Sequence, residues 1–178
     1  MSLSVKFDDQ ELGRYLSVLS GFSPFSGVNR ESELLDGAES AKGEDFGYIT
    51  YKSKTLEMPF EIKGDILASY DAIQKILNVT EPKRLVFGNY PDRYFYAVPD
   101  GNFDITQVAM FGKGTITWLI PDGVAYSTAE FTFDGVQEDG YQTITIKNNG
   151  TEWADVDYEI THQHENGFIG LVSQYGVI

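Results

Sequence analysis

The chain contains no cysteine, so neither a disulfide scaffold nor thiol chemistry is available to it. Histidine is nearly absent, with two in 178 residues, His162 and His164. Basic residues are scarce. Thirteen Lys and Arg face 27 Asp and Glu, for a net charge of −14. A duplex-binding surface needs clustered cations to replace counterions, so sequence-specific nucleic-acid binding is disfavoured. No apolar run approaches the roughly 18 residues of a membrane-spanning helix. The N-terminus lacks the charged, apolar and small-residue regions of a signal peptide. Glycines lie at turns and never in the spacing of a phosphate-binding loop.

What is present is aromatic and strand-forming. Twelve Phe, eleven Tyr and eighteen Gly favour strands joined by tight turns. Hydrophobic content of 42% is enough for a core and argues against disorder of the whole chain. The length suits one ordinary domain or two small ones. Charge is uneven. Residues 128–178 hold nine acids and one base, Lys147, whereas residues 1–127 hold eighteen acids and twelve bases. This shift sets the expected boundary: one domain over 1–127 and a second over 128–178.

Ser4–Phe7 alternates as a short strand ended by Asp8-Asp9. From Leu12 to Phe25 both helical and strand spacing occur, and Gly13, Gly21 and Pro24 favour strand. Asn29–Gly43 is polar around Leu34-Leu35 and reads as a loop or an exposed arm. Gly47–Tyr51 and Leu56–Ile62 read as two strands of one hairpin through Lys52-Ser53-Lys54, with Pro59 at an edge or bulge. A helix is predicted over Tyr70–Asn78. Ser69 would cap it, and Tyr70, Ile73, Ile76 and Leu77 would form its apolar face. Strands follow near 84–88, 93–98, 104–111 and 114–120.

Beyond Thr128 the pattern is purely β, with alternating runs at 129–133, 142–146, 154–160 and 168–172 and a turn at Asn148-Asn149-Gly150. Four strands make half a β-sandwich, whose apolar face needs a second layer. The end at Tyr175-Gly176-Val177-Ile178 reads as a truncation. The expected fold is mainly β (β-rich α+β): an N-terminal β domain with one short helix, then a partial antiparallel β-sandwich.

Few residues suggest chemistry, and each has a plainer explanation. His162, His164 and Glu165 could hold zinc, but they sit beside the Asn166-Gly167 turn and read as a solvated strand end. Asp134, Glu138 and Asp139 offer oxygen ligands without the spacing of a calcium loop, and read as an acidic turn. Asp92 and Arg93 lie near Tyr94 and Tyr96, where an ion pair fixing a turn is the commoner arrangement. Trp118 and Trp153 could stack on sugars, although a core aromatic is the default for each. The sequence assigns no catalytic, cofactor-binding or metal-binding residue and no cofactor.

Several segments in order carry a resemblance. They are Glu61-Ile62-Lys63-Gly64-Asp65 before the helix, Pro82–Phe87, Pro91–Ala97, and Phe111–Trp118 leading to Tyr126. Together they resemble the distal tail protein family of long-tailed, non-contractile bacteriophages and prophages, over residues 44–127 well and over the first 40 loosely. The resemblance implies a β-rich ring domain, six copies of which close into a hub with protruding hairpin arms. It also implies a second, galectin-like or carbohydrate-binding-module-like domain, whose first half 128–178 would be. Implied partners are further copies of the chain, the tail tube protein, the tape-measure protein and the tail-tip or receptor-binding proteins, with no membrane. The implied location is the virion tail after synthesis in the host cytoplasm. Segment 29–43 and the hairpin near 52–54 are the candidate arms. The acidic balance would suit a lumen that repels DNA phosphates. The competing reading is a carbohydrate- or cell-wall-binding module using 128–178. An enzyme would need a facing carboxylate pair that no motif selects.

Overall fold

The computed structural model describes residues 3–25, 27–35, 43–101, 112–133, 143–152, 154, 156–160, 170–173 and 176–177. The chain divides into two compact units, 1–131 and 132–178. The first is mainly β. Its strands are β1 (Val5–Phe7), β2 (Gln10–Glu11), β3 (Leu16–Val18), β4 (Arg30–Leu35), β5 (Asp45–Tyr51), β6 (Lys54–Ile62), β7 (Lys83–Phe87), β8 (Arg93–Asp100), β9 (Lys113–Ile120) and β10 (Tyr126–Ser127), with one helix, α1 (Ile66–Leu77).

Eight of these strands form one antiparallel sheet in the order β2-β1-β7-β8-β9-β6-β3, with β10 pairing β8. The sheet must curl. Its two ends, β2 and β3, are joined by a single 3-10 turn at Leu12–Arg14. The five residue steps from Glu11 to Leu16 span at most about 18 Å. Seven flat strands would hold their outer members about 29 Å apart. Curling brings the ends together and seals one face. Val5, Phe7, Leu16, Met58, Phe60 and Trp118 on that face are at most 1% exposed.

The alternation read from the sequence holds along β6. Lys54, Leu56, Met58 and Phe60 are buried, while Thr55, Glu57 and Glu61 are exposed. The prediction that Pro59 marks an edge fails in part, because β6 lies inside the sheet between β9 and β3. The Pro59 carbonyl accepts from Leu19 N–H on the β3 side (2.9 Å). In a strand the nitrogen of the same residue faces that side too. The pairing of β3 with β6 stops one residue away, at Val18↔Phe60. The missing N–H is the one that would have returned a bond to Leu19, so proline costs the ladder half of a single pair, at the point where β3 ends.

The helix starts four residues earlier than the sequence suggests. Asp65, not Ser69, is its N-cap and accepts from Ala68 N–H at 2.8 Å. Gly64, at φ +71°, supplies the left-handed residue that turns β6 into the helix. Ser69 is buried within the first turn, where its hydroxyl donates to Lys63 O (2.8 Å). Asn78 is the C-cap, as expected. Ile73, Ile76 and Leu77 pack into the core, with Ile66 and Tyr70 at its margin. At about 1.5–3 kcal/mol per buried large side chain, this face holds a helix too short to persist alone.

Strands expected from the sequence at 84–88, 93–98 and 114–120 are present as β7, β8 and β9. The one expected at 104–111 lies outside the described residues. In the 12–25 segment the strand preference holds only for Leu16–Val18, after the 3-10 turn.

Beyond β10, the strands expected at 129–133, 142–146 and 154–160 do not pair in their described residues; the last two lie in the second unit. The only described strands there are β11 (Val172–Ser173) and β12 (Gly176–Val177), an antiparallel pair. Ile144, Ile146, Val156, Tyr158 and Ile160 are exposed. Alternation creates an apolar face, but a ladder forms only when another layer covers it.

Candidate assembly surfaces

The first surface is a hairpin. β4 and β5 pair only with each other, from Arg30↔Tyr51 at the root to Leu35↔Asp45 at the far end. This corrects two sequence expectations. β5 does not form a hairpin with β6, and Lys52-Ser53 is the return from the arm into the sheet. The hairpin near 52–54 is therefore not an arm, whereas of the two readings of 29–43, loop or exposed arm, its first part follows the second, as strand β4 of the hairpin. A bulge lies between Glu33 and Leu34. Gly47 opposite is needed there, since a Cβ would sit 2.9 Å from Glu33 O.

The root is tied by backbone and charge. Lys52 N–H donates to Asn29 O (3.0 Å), and the Asn29 amide donates to Ser53 O (3.0 Å). Lys52 Nζ lies 2.8 Å from Glu31. That hydrogen bond and charge raise the Lys52 pKa above its ordinary value. Beyond the root the arm is apolar and uncovered. Phe46 and Tyr48 are each 61% exposed, and Leu34, Leu35, Ile49 and Tyr51 are also exposed.

The second surface lies on the outer side of the sheet. Strand alternation sends Phe95 and Ala97 into the core and Tyr94 and Tyr96 outward. β10 pairs with β8 so that Tyr126 stands opposite Tyr94. The rings of Tyr94 and Tyr126 stack at 5.5 Å, and Tyr96 meets both edge-on at 5.3 and 5.4 Å. From β7, the Arg84 guanidinium lies 4.2 Å over the Tyr94 ring. Tyr126 OH donates to Asp122 Oδ2 (2.8 Å). Chiefly through that bond, its pKa is pushed up to about 12. Burial and the contact with Tyr96 raise that of Tyr94.

The Asp92–Arg93 pair belongs to the turn below this platform. Arg93 Nε is 3.5 Å from Asp92, and both side chains are well exposed. Thr128 N–H donates to Asp92 O (2.9 Å), which fixes the chain leaving β10. Trp118 is a core residue, fully buried with its ring 4.8 Å from Phe7. Trp153, the His162–Glu165 group and the Asp134–Asp139 group lie outside the described residues. Among the described residues, no three His, Cys, Asp or Glu side chains gather as a metal site.

One buried cation stands out. Lys54 is 4% exposed, its Nζ donating to Pro24 O (3.2 Å) and lying 5.4 Å over the Phe95 ring. Burial lowers its pKa. It fastens the 20–25 segment to the start of β6.

Sequence reasoning pointed to Tyr94 and Tyr96 but not to their union with Tyr126 and Arg84. Only strand pairing brings those four together.

Residues 7–120 match the family described as the phage tail protein RIFT-related domain. Among solved structures, the chain is similar to the Dit protein (gp 19.1) of phage SPP1, with a TM-score of 0.58 at 18% identity. That protein is described as a paradigm of the hub of the adsorption apparatus in phages infecting Gram-positive bacteria. The likeness covers 71% of this chain and 53% of that one, so the chain spans about half of its relative. A search among curated proteins finds no match.

Proposed function

The chain belongs to the phage tail protein RIFT-related family, and from that premise we propose that it is a distal tail hub subunit. In this reading six copies close into a ring that joins the tail tube to the adsorption apparatus. The ring domain is 1–127, and 128–178 begins a galectin-like β-sandwich. Its partners are its own copies, the tube and tape-measure proteins, and the receptor-binding tip. It acts by assembly, without catalysis, in the virion tail, after synthesis in the host cytoplasm.

The observation that carries this reading is the arm. A sealed sheet uses its apolar residues internally, yet β4 and β5 display six large apolar side chains to solvent. A two-stranded hairpin is marginal in water by itself, so its sequence makes sense against a partner. A ring requires each subunit to present two different, complementary faces, and an arm supplies one. Light scattering on the purified chain tests the reading, followed by electron microscopy. A mass of six copies and annular particles are expected. A single-chain mass at every concentration, with no annuli, would refute self-assembly into a ring.

A further inference from the structure

We infer that the tyrosine platform of Tyr94, Tyr96 and Tyr126, with Arg84, receives the distal half of the β4–β5 arm of a second copy of this chain. The inference rests on the ring reading and names the face that completes it.

Exposed large apolar side chains of the first unit gather in two places. One is the arm. The other is the platform, where Tyr96 and Tyr126 are exposed. Of the rest, Leu67, Phe131 and Tyr90 are exposed to a similar degree among the described residues, and the Tyr90 ring packs on Phe25 at 4.4 Å. Both places are exposed.

The two surfaces differ in charge. The described distal residues of the arm, 33–35 and 43–49, contain Glu33, Glu44 and Asp45 and no base. Among the described residues the arm's cations, Arg30 and Lys52, are at its root, with Lys52 held by Glu31. On the platform, Arg84 lies 4.2 Å over the Tyr94 ring and has no ion-pair partner among the described residues. A guanidinium stacked on a ring keeps its in-plane N–H groups for a carboxylate. Two acids lie near: Asp122 is occupied by Tyr126, and the exposed Glu130 acts on Tyr94 by charge but forms no ion pair with Arg84 among the described residues. An apolar strand bearing carboxylates fits tyrosine faces bordered by an unclaimed arginine. Tyrosine and arginine are also the residues that most often carry interface energy. A second platform would bring another Arg84 and no strand bearing both apolar side chains and carboxylates, which the arm does bring. A heterologous contact, the kind a ring needs, follows from the charges.

Because the chain has no cysteine, introduced thiols report on contacts without ambiguity. Leu34→Cys and Tyr96→Cys proteins would be mixed in equal amounts under mild oxidation, and Leu34→Cys with Leu67→Cys would serve as the control. Circular dichroism would verify that each variant is folded. A disulfide-linked dimer is expected from the first mixture and not from the control. The double Leu34→Cys, Tyr96→Cys chain should give a ladder ending at the ring. Arg84→Glu should cut the cross-linked yield about tenfold or more, and adding Glu33→Lys in the same chain should restore part of it. A hexameric mass without the Leu34–Tyr96 link, or with equal linking in the control, overturns this inference and spares the ring. A monomeric mass with no link overturns both.

Discussion

Strands β5 and β6 are neighbours in the chain, separated only by Lys52 and Ser53, and both are rich in large apolar residues. Their fates are opposite. In β6, Leu56, Met58 and Phe60 are at most 5% exposed, whereas in β5 Phe46 and Tyr48 are each 61% exposed. The difference is in what surrounds them. β6 has a strand on each side and a sealed core beneath it, while β5 has only β4. Apolar residues in a strand thus announce a buried face, but topology decides whether the burying surface belongs to the same molecule. In β6 they hold the fold. In the arm they are left over for assembly.

Truncating one side chain from each region gives the largest contrast. Trp118→Ala removes a fully buried ring in contact with Phe7. It should cost about 3–5 kcal/mol, read from urea unfolding, which is enough to threaten folding altogether. Phe46→Ser should leave stability within about 0.5 kcal/mol while reducing self-association by light scattering. A Phe46→Ser protein as unstable as the tryptophan variant would mean that the arm is covered by its own chain, and the distinction between the two regions would collapse.

The joint between the regions should show an intermediate effect. Gly123 has φ +70°, and a Cβ there would collide with the carbonyl oxygen of Lys52, at the root of the arm. Its N–H donates to Ile120 O (3.2 Å) at the end of β9. Gly123→Ala combines left-handed strain with a backbone clash, for a cost of about 1–3 kcal/mol. Because the clash falls on Lys52, self-association should weaken as well. An alanine variant with unchanged unfolding midpoint would show that arm and sheet are not coupled through this turn.

A smaller loss belongs to the sheet-to-helix turn. Asp65→Ala removes the N-cap and should cost about 1 kcal/mol without affecting assembly. Ser69→Ala removes instead the bond to Lys63 O. If the two variants exchanged roles in thermal unfolding, with Asp65 silent, the helix would begin where the sequence first suggests.

That pair shows what was legible in the sequence. Strands near 5–7, 84–87, 93–98 and 114–120 could be read because alternation and turn residues agree there. The resemblance to phage tail proteins rested on segments between Glu61 and Tyr126, inside and just past the matched span of 7–120. The helix start was misplaced because Asp65 and Ser69 both suit a cap, and only the left-handed Gly64 decides between them. Segment 29–43 was readable as a loop or an exposed arm, but its pairing with β5 rather than β5 with β6 was not. Glu31, Ser32 and Glu33 look like loop residues, since a strand with neither face buried leaves no alternation to read. The platform needed a register, Tyr126↔Tyr94, that joins residues 32 positions apart. In the second unit, alternation in 142–146 and 154–160 predicted ladders that the described residues do not form; Ile144, Ile146, Val156, Tyr158 and Ile160 are exposed there.

The smallest effect separates the platform from the core by pH. Tyr126 is exposed enough that losing its hydroxyl should change stability at neutral pH by no more than about 0.5 kcal/mol. Its hydrogen bond to Asp122 holds the phenol neutral, with a pKa of about 12 against an ordinary 10. The folded-state pKa is the higher one. Its stabilising contribution is therefore complete below about pH 10 and disappears as pH rises toward 12. Following tyrosinate absorbance in alkali, Tyr126→Phe should remove signal from the last part of the titration and leave the earlier part unchanged. Asp122→Asn should instead move that late signal to lower pH, since the carboxylate charge is gone. If neither variant alters the late phase, Tyr126 does not hold Asp122. That carboxylate would then be free to compete for Arg84, and the platform would lose the charge that sets it against the arm.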